Sequence, residues 1–158
     1  QDKDKAEMAI LKVSSFLRNT MNEKALLSIK NEVKNVGEYV ELENIRFSGK
    51  INFHAPNSFP NWQVPKFSIQ LLVENAIKHG YNPAKESLNI WLSFDEAKKI
   101  IALKNDGYKM KTQKFGIGLS NLNQRVELLC HGKLEAVQTE TPTFYIYIGE
   151  CDENIDCG

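Results

Sequence analysis

Residues 72–80 read Leu72-Val73-Glu74-Asn75-Ala76-Ile77-Lys78-His79-Gly80. The stretch belongs to a longer helical pattern from Lys66 to His79, whose apolar arc is Ile69, Leu72, Val73, Ala76 and Ile77. Pro65 is suited to open that helix at its first turn, and Gly80 to stop it in the usual C-terminal role. At about 100° per residue, Asn75 and His79 lie one turn apart at the edge of the arc, with Glu74 and Lys78 as an adjacent stripe. An Asn amide oxygen there can join a magnesium shell completed by waters and phosphate oxygens, with Lys78 and His79 facing phosphate. The plain alternative makes Glu74 and Lys78 a solvated pair and Asn75 a cap on the buried edge. For this helix by itself the plain alternative is the stronger.

Downstream, Leu88, Ile90, Leu92 and Phe94 alternate as a strand, and the charged turn Asp95 to Lys99 leads into the apolar run Ile100 to Leu103, which completes a hairpin. Asn105 to Phe115 is a polar loop of functional length. Within it, Asn105-Asp106-Gly107 taken alone is a turn. A helix from Ile117 to Leu129 follows Gly116, and Phe115-Gly116-Ile117-Gly118-Leu119-Ser120-Asn121 places two glycines at its mouth. Glycines there let a ligand approach the backbone, and free first-turn amides attract anions. Strands from Leu134 to Val137 and Phe144 to Ile148 turn about Thr141 and Pro142. Upstream, amphipathic helices run from about Ala6 to Met21 and from Ser28 to Phe47, and Lys50 to His54 alternates as a short strand before the proline-rich loop Ala55 to Pro65. The element order predicts an α+β fold: a two-layer sandwich of a mostly antiparallel sheet with helices on one face.

The chain has 158 residues with 20 Lys+Arg against 20 Asp+Glu, enough for one core and with no net charge to favour nucleic acid. Three cysteines, Cys130, Cys151 and Cys157, show no zinc-type spacing. No run reaches membrane-spanning length, so no membrane contact is expected of this segment. Three units are expected: residues 1–27 as the end of one helix and a turn, 28–150 as the main domain, and 151–158 as a frayed tail.

In order and spacing, the Asn-bearing helix, the polar strand end before Gly107, the loop and the glycine-rich helix start can line one cleft. Leu72 to Gly80 resembles the N box of sensor histidine kinases in the wording of the LytS-like branch. Gly116 to Asn121, continuing to Arg125, resembles that branch's second glycine box, and Tyr39 to Phe47 the helix that leads into its ATPase domain. The resemblance runs from about Ala6 to Ile148. It implies the Bergerat fold of the GHKL superfamily, with ATP held between the N-box helix and a lid at residues 108–115. It further implies Asn75 as the magnesium ligand, Glu74, Lys78 and His79 as the catalytic group with the last two near the phosphates, and Gly116, Ile117, Gly118 and Leu119 beneath them. Asn105 would face adenine, beside Gly107.

Two departures stand out. Where the family's first glycine box reads Asp-x-Gly-x-Gly, this chain has Asn105-Asp106-Gly107-Tyr108-Lys109, so adenine meets an amide without charge assistance. The family's phosphoacceptor motif is absent, and none of His54, His79 or His131 matches it; the resemblance places the acceptor upstream, on a dimerisation helix. Superfamily hydrolases carry a Glu four residues before the N-box Asn; Leu71 stands there and is no base, which favours phosphoryl transfer over hydrolysis. Implied partners are ATP with Mg2+, a response regulator of LytTR type and a second copy in the full protein, with a cytoplasmic location for this segment and the inner membrane for its parent. The rival reading is a degenerate ATPase-like module serving dimerisation or regulator docking. An anti-sigma type Ser/Thr kinase on the same fold ranks third, because Tyr39 to Phe47 resembles the histidine kinase linker. Trp62, Trp91 and Cys130 read as packing groups, and Arg125 as a structural or surface partner.

Overall fold

The computed structural model describes residues 2–21 and 25–149. Helix α1 (Asp2–Met21) precedes a sandwich in which α2 (Ile29–Arg46), α3 (Ser68–Gly80) and α4 (Ile117–Cys130) cover one face of a sheet. The strands of that sheet are β2 (Ile51–His54), β4 (Leu88–Asp95), β5 (Ile100–Asn105), β6 (Lys133–Gln138) and β7 (Pro142–Tyr147). They lie in the order β2-β4-β5-β7-β6, antiparallel throughout except for the β2–β4 pair. Residues 151–158, expected to fray, lie outside the described residues.

Strand register explains which face is covered. Leu92 pairs with Leu103 and Leu103 with Phe144, while Ile101 pairs with Ile146 and Ile146 with Leu134. With a side-chain period of two, these rows share one side, all buried beneath the helices. Each fully covered Leu or Ile is worth roughly 2 kcal/mol relative to exposure. Trp91, Lys104 and Tyr145 take the other side, where the indole stacks on the His54 ring at 5.6 Å and carries the Lys104 ammonium at 5.6 Å. Trp62, by contrast, packs edge-on against Phe94 beside the core. Ser28 caps α2, accepting from the Asn31 amide at 3.2 Å, as the Ser28–Asn31 pattern suggests. Asn44 ties the other end of α2 to the sheet by exchanging two 2.8 Å hydrogen bonds with the backbone of Ile51.

Two expectations about the N-box helix are corrected. Pro65 does not open it. Residues Gln63–Pro65 form β3, which pairs antiparallel with β1 (Leu26–Ser28), and the chain then turns through Phe67 at φ 67° before α3 begins at Ser68. Pro65 is tolerated because this is a two-stranded edge ribbon, where a missing N–H costs little. Nor does Gly80 end the helix in a left-handed conformation: it lies in the last turn, and Tyr81 follows as the cap. Its reason is contact, since an added Cβ would meet Asn105 Oδ1 at 2.8 Å.

Candidate active site

The C-terminal half of α3, the end of β5, the loop after it and the first turn of α4 enclose a cleft of about 1450 Å3. Glu74, Asn75, Lys78, His79, Asn105, Gly116, Ile117, Gly118 and Leu119 all line it. Among the residues expected there, Gly107 does not reach the wall. It packs against the backbone of Gly80, where an added Cβ would stand 2.1 Å from the carbonyl oxygen. That approach lets the Tyr108 amide donate to Gly80 O at 2.9 Å, fastening the start of the loop to the end of α3.

On α3, Leu72, Val73, Ala76 and Ile77 are buried, which leaves Asn75 half-buried and Lys78 and His79 exposed at the cleft. Glu74 accepts from Gln70 Nε2 at 3.5 Å and makes no ion pair with Lys78 among the described residues, so the solvated-pair alternative fails here. The Asn75 amide makes no hydrogen bond to another described residue, so its oxygen is available to a ligand. No group of three His, Cys, Asp or Glu side chains among the described residues is placed to hold a metal. A magnesium ion taking Asn75 as a protein ligand and phosphate oxygens for the rest fits this donor set, whereas an all-protein cage does not.

The Asn105-Asp106 pair is resolved by its hydrogen bonds. Asp106 turns away from the cleft: its carboxylate accepts from Asn89 N at 2.8 Å and Asn89 Nδ2 at 2.9 Å. Asn105, only 3% exposed, sits on the helix-facing side of β5 with Oδ1 accepting from the Gly107 amide at 3.0 Å. Asn105 is therefore the polar floor of the cleft.

Gly116 and Gly118 have no positive φ, and Cβ atoms added to either would meet nothing within 4 Å. Protein packing does not require glycine at these positions, and the space beside them opens onto the cleft. Gly116 caps α4 with no side-chain hydrogen bond, leaving first-turn amides for an anion. Lys109, Lys111 and Lys114 of the loop join Lys78 in lining the cleft, against the single carboxylate of Glu74. The three loop lysines are the feature that the glycine-centred reading of this loop passed over. They make a neutral chain locally cationic, which suits a polyphosphate. His54, on β2, and His131, at the C-cap of α4, do not line the cleft.

Comparison with known proteins agrees with this fold. A protein-family model described as histidine kinase matches residues 1–51. The sensor histidine kinase/phosphatase LytS of Staphylococcus aureus is 30% identical over 87% of this chain and 27% of its own length. The chain is related to LytS-type sensor histidine kinases. The LytS sensor protein of Staphylococcus saprophyticus is 28% identical over 80% of this chain and 25% of its own, so the chain spans about a quarter of the length of such relatives. Among solved structures, the nucleotide-free catalytic domain of histidine kinase ThkA superposes with a TM-score of 0.59 at 20% identity, covering 81% of this chain and 97% of that one. The Acinetobacter baumannii histidine kinase AdeS gives 0.59 at 17%, covering 90% and 76%. The LytS-like chain thus has the fold of histidine kinase catalytic domains, as its N box implies.

Proposed function

We propose that this LytS-like chain binds Mg-ATP in the cleft between α3 and the 108–116 loop and serves as the catalytic region of a sensor histidine kinase. The observation that carries the reading is the cleft itself, in which an Asn75 amide without a hydrogen bond to another described residue, uncrowded backbone at Gly116 and Gly118, and four lysines converge. Residues 28–150 are the ATPase domain in this reading, and residues 1–27 close the dimerisation helix. The γ-phosphate passes to a His upstream on that dimerisation helix, then to a response regulator of LytTR type. The parent dimerises and sits in the inner membrane, with this region in the cytoplasm; among the described residues no helix is long and apolar enough to cross a membrane.

Asn75 would hold the magnesium ion, which when bound neutralises charge on the phosphates. Amides at the start of α4 and the lysines of the loop and of α3 orient those phosphates, supplying positioning and electrostatic stabilisation. Asn105 receives the adenine edge. Leu71, on the cleft wall where a hydrolase would carry its base, leaves water unactivated and supports transfer to a side chain.

Isothermal titration with Mg-ADP tests the reading. Saturable binding in the micromolar to millimolar range is expected, and Asn75→Ala should abolish its dependence on magnesium. Folded protein giving no heat at millimolar nucleotide would refute it.

A further inference from the structure

Helix α3 begins without a cap of its own. Phe67, at its N-cap position, is left-handed and offers no side-chain hydrogen bond to the first turn. The acceptor comes instead from another helix: Glu32 of α2 reaches across the core, and Ile69 N donates to its Oε1 at 3.0 Å. Glu32 is 1% exposed, and Oε2 is sealed with no hydrogen-bond partner. Arg125 of α4 faces the same carboxyl while its Nη1 donates to Lys66 O at 2.6 Å, immediately before the turn into α3. The charged groups around Glu32 are Arg125 and Lys66. Glu32 of α2 thus holds the first turn of the helix that carries Asn75, while Arg125 ties α4 to the residue just before that turn. Asn75 is six residues beyond Ile69, about 9 Å along one rigid helix, so an axial slip at the start arrives undiminished at the cleft.

We propose that Glu32 is a positioning residue for the nucleotide cleft, the hydrogen-bond acceptor by which α2 fixes the first turn of α3 and with it the placement of Asn75. The inference rests on the reading of the cleft as a Mg-ATP site. Glu32 touches no nucleotide. Its requirement is for an acceptor of this length, because an orphaned Ile69 N–H in a dry interior drives the first turn to seek another partner.

The test compares Glu32→Gln, which keeps the acceptor, with Glu32→Met, which keeps the volume and loses it. Mg-ADP affinity of the whole chain should stay within about twofold in E32Q and fall about tenfold in E32M, at a temperature where circular dichroism shows both folded. Without nucleotide, amide hydrogen exchange in E32M should quicken at Ile69 and also at Asn75 and Leu119 to Asn121. Wild-type affinity in E32M, or a loss in E32Q equal to that in E32M, overturns the proposal. So does faster exchange confined to Ile69 and Gln70, a result that decides the matter even if E32M fails to reach the titration. Absence of Mg-ADP binding by the wild-type chain would count against the nucleotide reading alone, since the exchange pattern still reports whether Glu32 positions Asn75.

Discussion

Replacing Glu32 by Gln should make the protein more stable above neutral pH. Burial is the dominant influence on this carboxyl and pushes its pKa from the ordinary 4.5 up to about 7, against the opposing pull of the Ile69, Gln70 and Phe67 amides and of Arg125. The native state therefore holds a proton that the unfolded chain has already released. The stabilisation from this group is complete below about pH 4.5 and is lost as pH rises through 7, which makes the ionised native protein about 3 kcal/mol less stable than it would be with the carboxyl neutral. Gln keeps an oxygen for Ile69 N and carries no charge to desolvate, so it removes the pH-dependent loss.

Urea unfolding of both proteins at half-unit steps from pH 5 to 8.5 measures this. Relative to E32Q, the wild type should lose about 2.5 kcal/mol across the series, most of it between pH 5 and 7.5. With a urea slope of about 2 kcal/mol/M, the midpoints should separate by roughly 1.5 M at pH 8. Groups common to both proteins cancel in the difference. Parallel curves would show that the carboxyl is hydrated or paired in solution, and the buried junction of α2, α3 and α4 would be wrong.

Three further outcomes probe the cleft. Asn105→Asp should tighten Mg-ADP binding about fivefold by giving the base amino group a charged acceptor, while lowering Tm because the new charge is almost wholly buried; unchanged affinity in titration would mean that Asn105 does not meet the base. Gly118→Ala should leave Tm level or higher, since its Cβ meets nothing and α4 gains about 1 kcal/mol of helix propensity, yet weaken nucleotide binding about tenfold; Gly107→Ala should instead cost about 3 kcal/mol in urea unfolding because its Cβ overlaps Gly80 O. Replacing Lys109, Lys111 and Lys114 together by Gln should flatten the salt dependence of Mg-ADP affinity measured between about 50 and 500 mM NaCl, where the screening length falls several-fold. A slope equal to that of the wild type would place the lysines away from the phosphates.

The parts of this fold that were legible in the sequence are those written in local periods. The alternation of Leu88 to Phe94 and the arc of Ile69 to Ile77 announce a strand and a helix because each buries one face, and the buried side of β4 follows from that alternation. The candidate site was legible to the extent that its residues sit at element ends marked by glycine, which is how Asn75, Asn105 and Gly116 to Leu119 could be placed around one cleft. What stayed hidden was non-local. Pro65 next to a helix pattern reads as a helix start, and only the pairing of Leu26 with Pro65 reassigns it to a strand. Gly107 stands in a nucleotide motif, yet the atom that forbids a side chain there belongs to Gly80, in a different element. Glu32 follows Ser28 and Asn31 as an ordinary first-turn acid of α2, and nothing nearby in sequence says that its carboxyl serves a helix starting 36 residues later. The structure poses the question of where the first-turn amides of α3 find an acceptor, because its N-cap is a left-handed Phe67 with no side-chain oxygen to offer. The answer requires a partner from outside the segment, and a buried acid is one of few side chains long enough to supply it. An uncapped helix that carries a binding residue is therefore a reason to search the rest of the chain for the acceptor, since whatever group caps that helix also bears on where the binding residue stands.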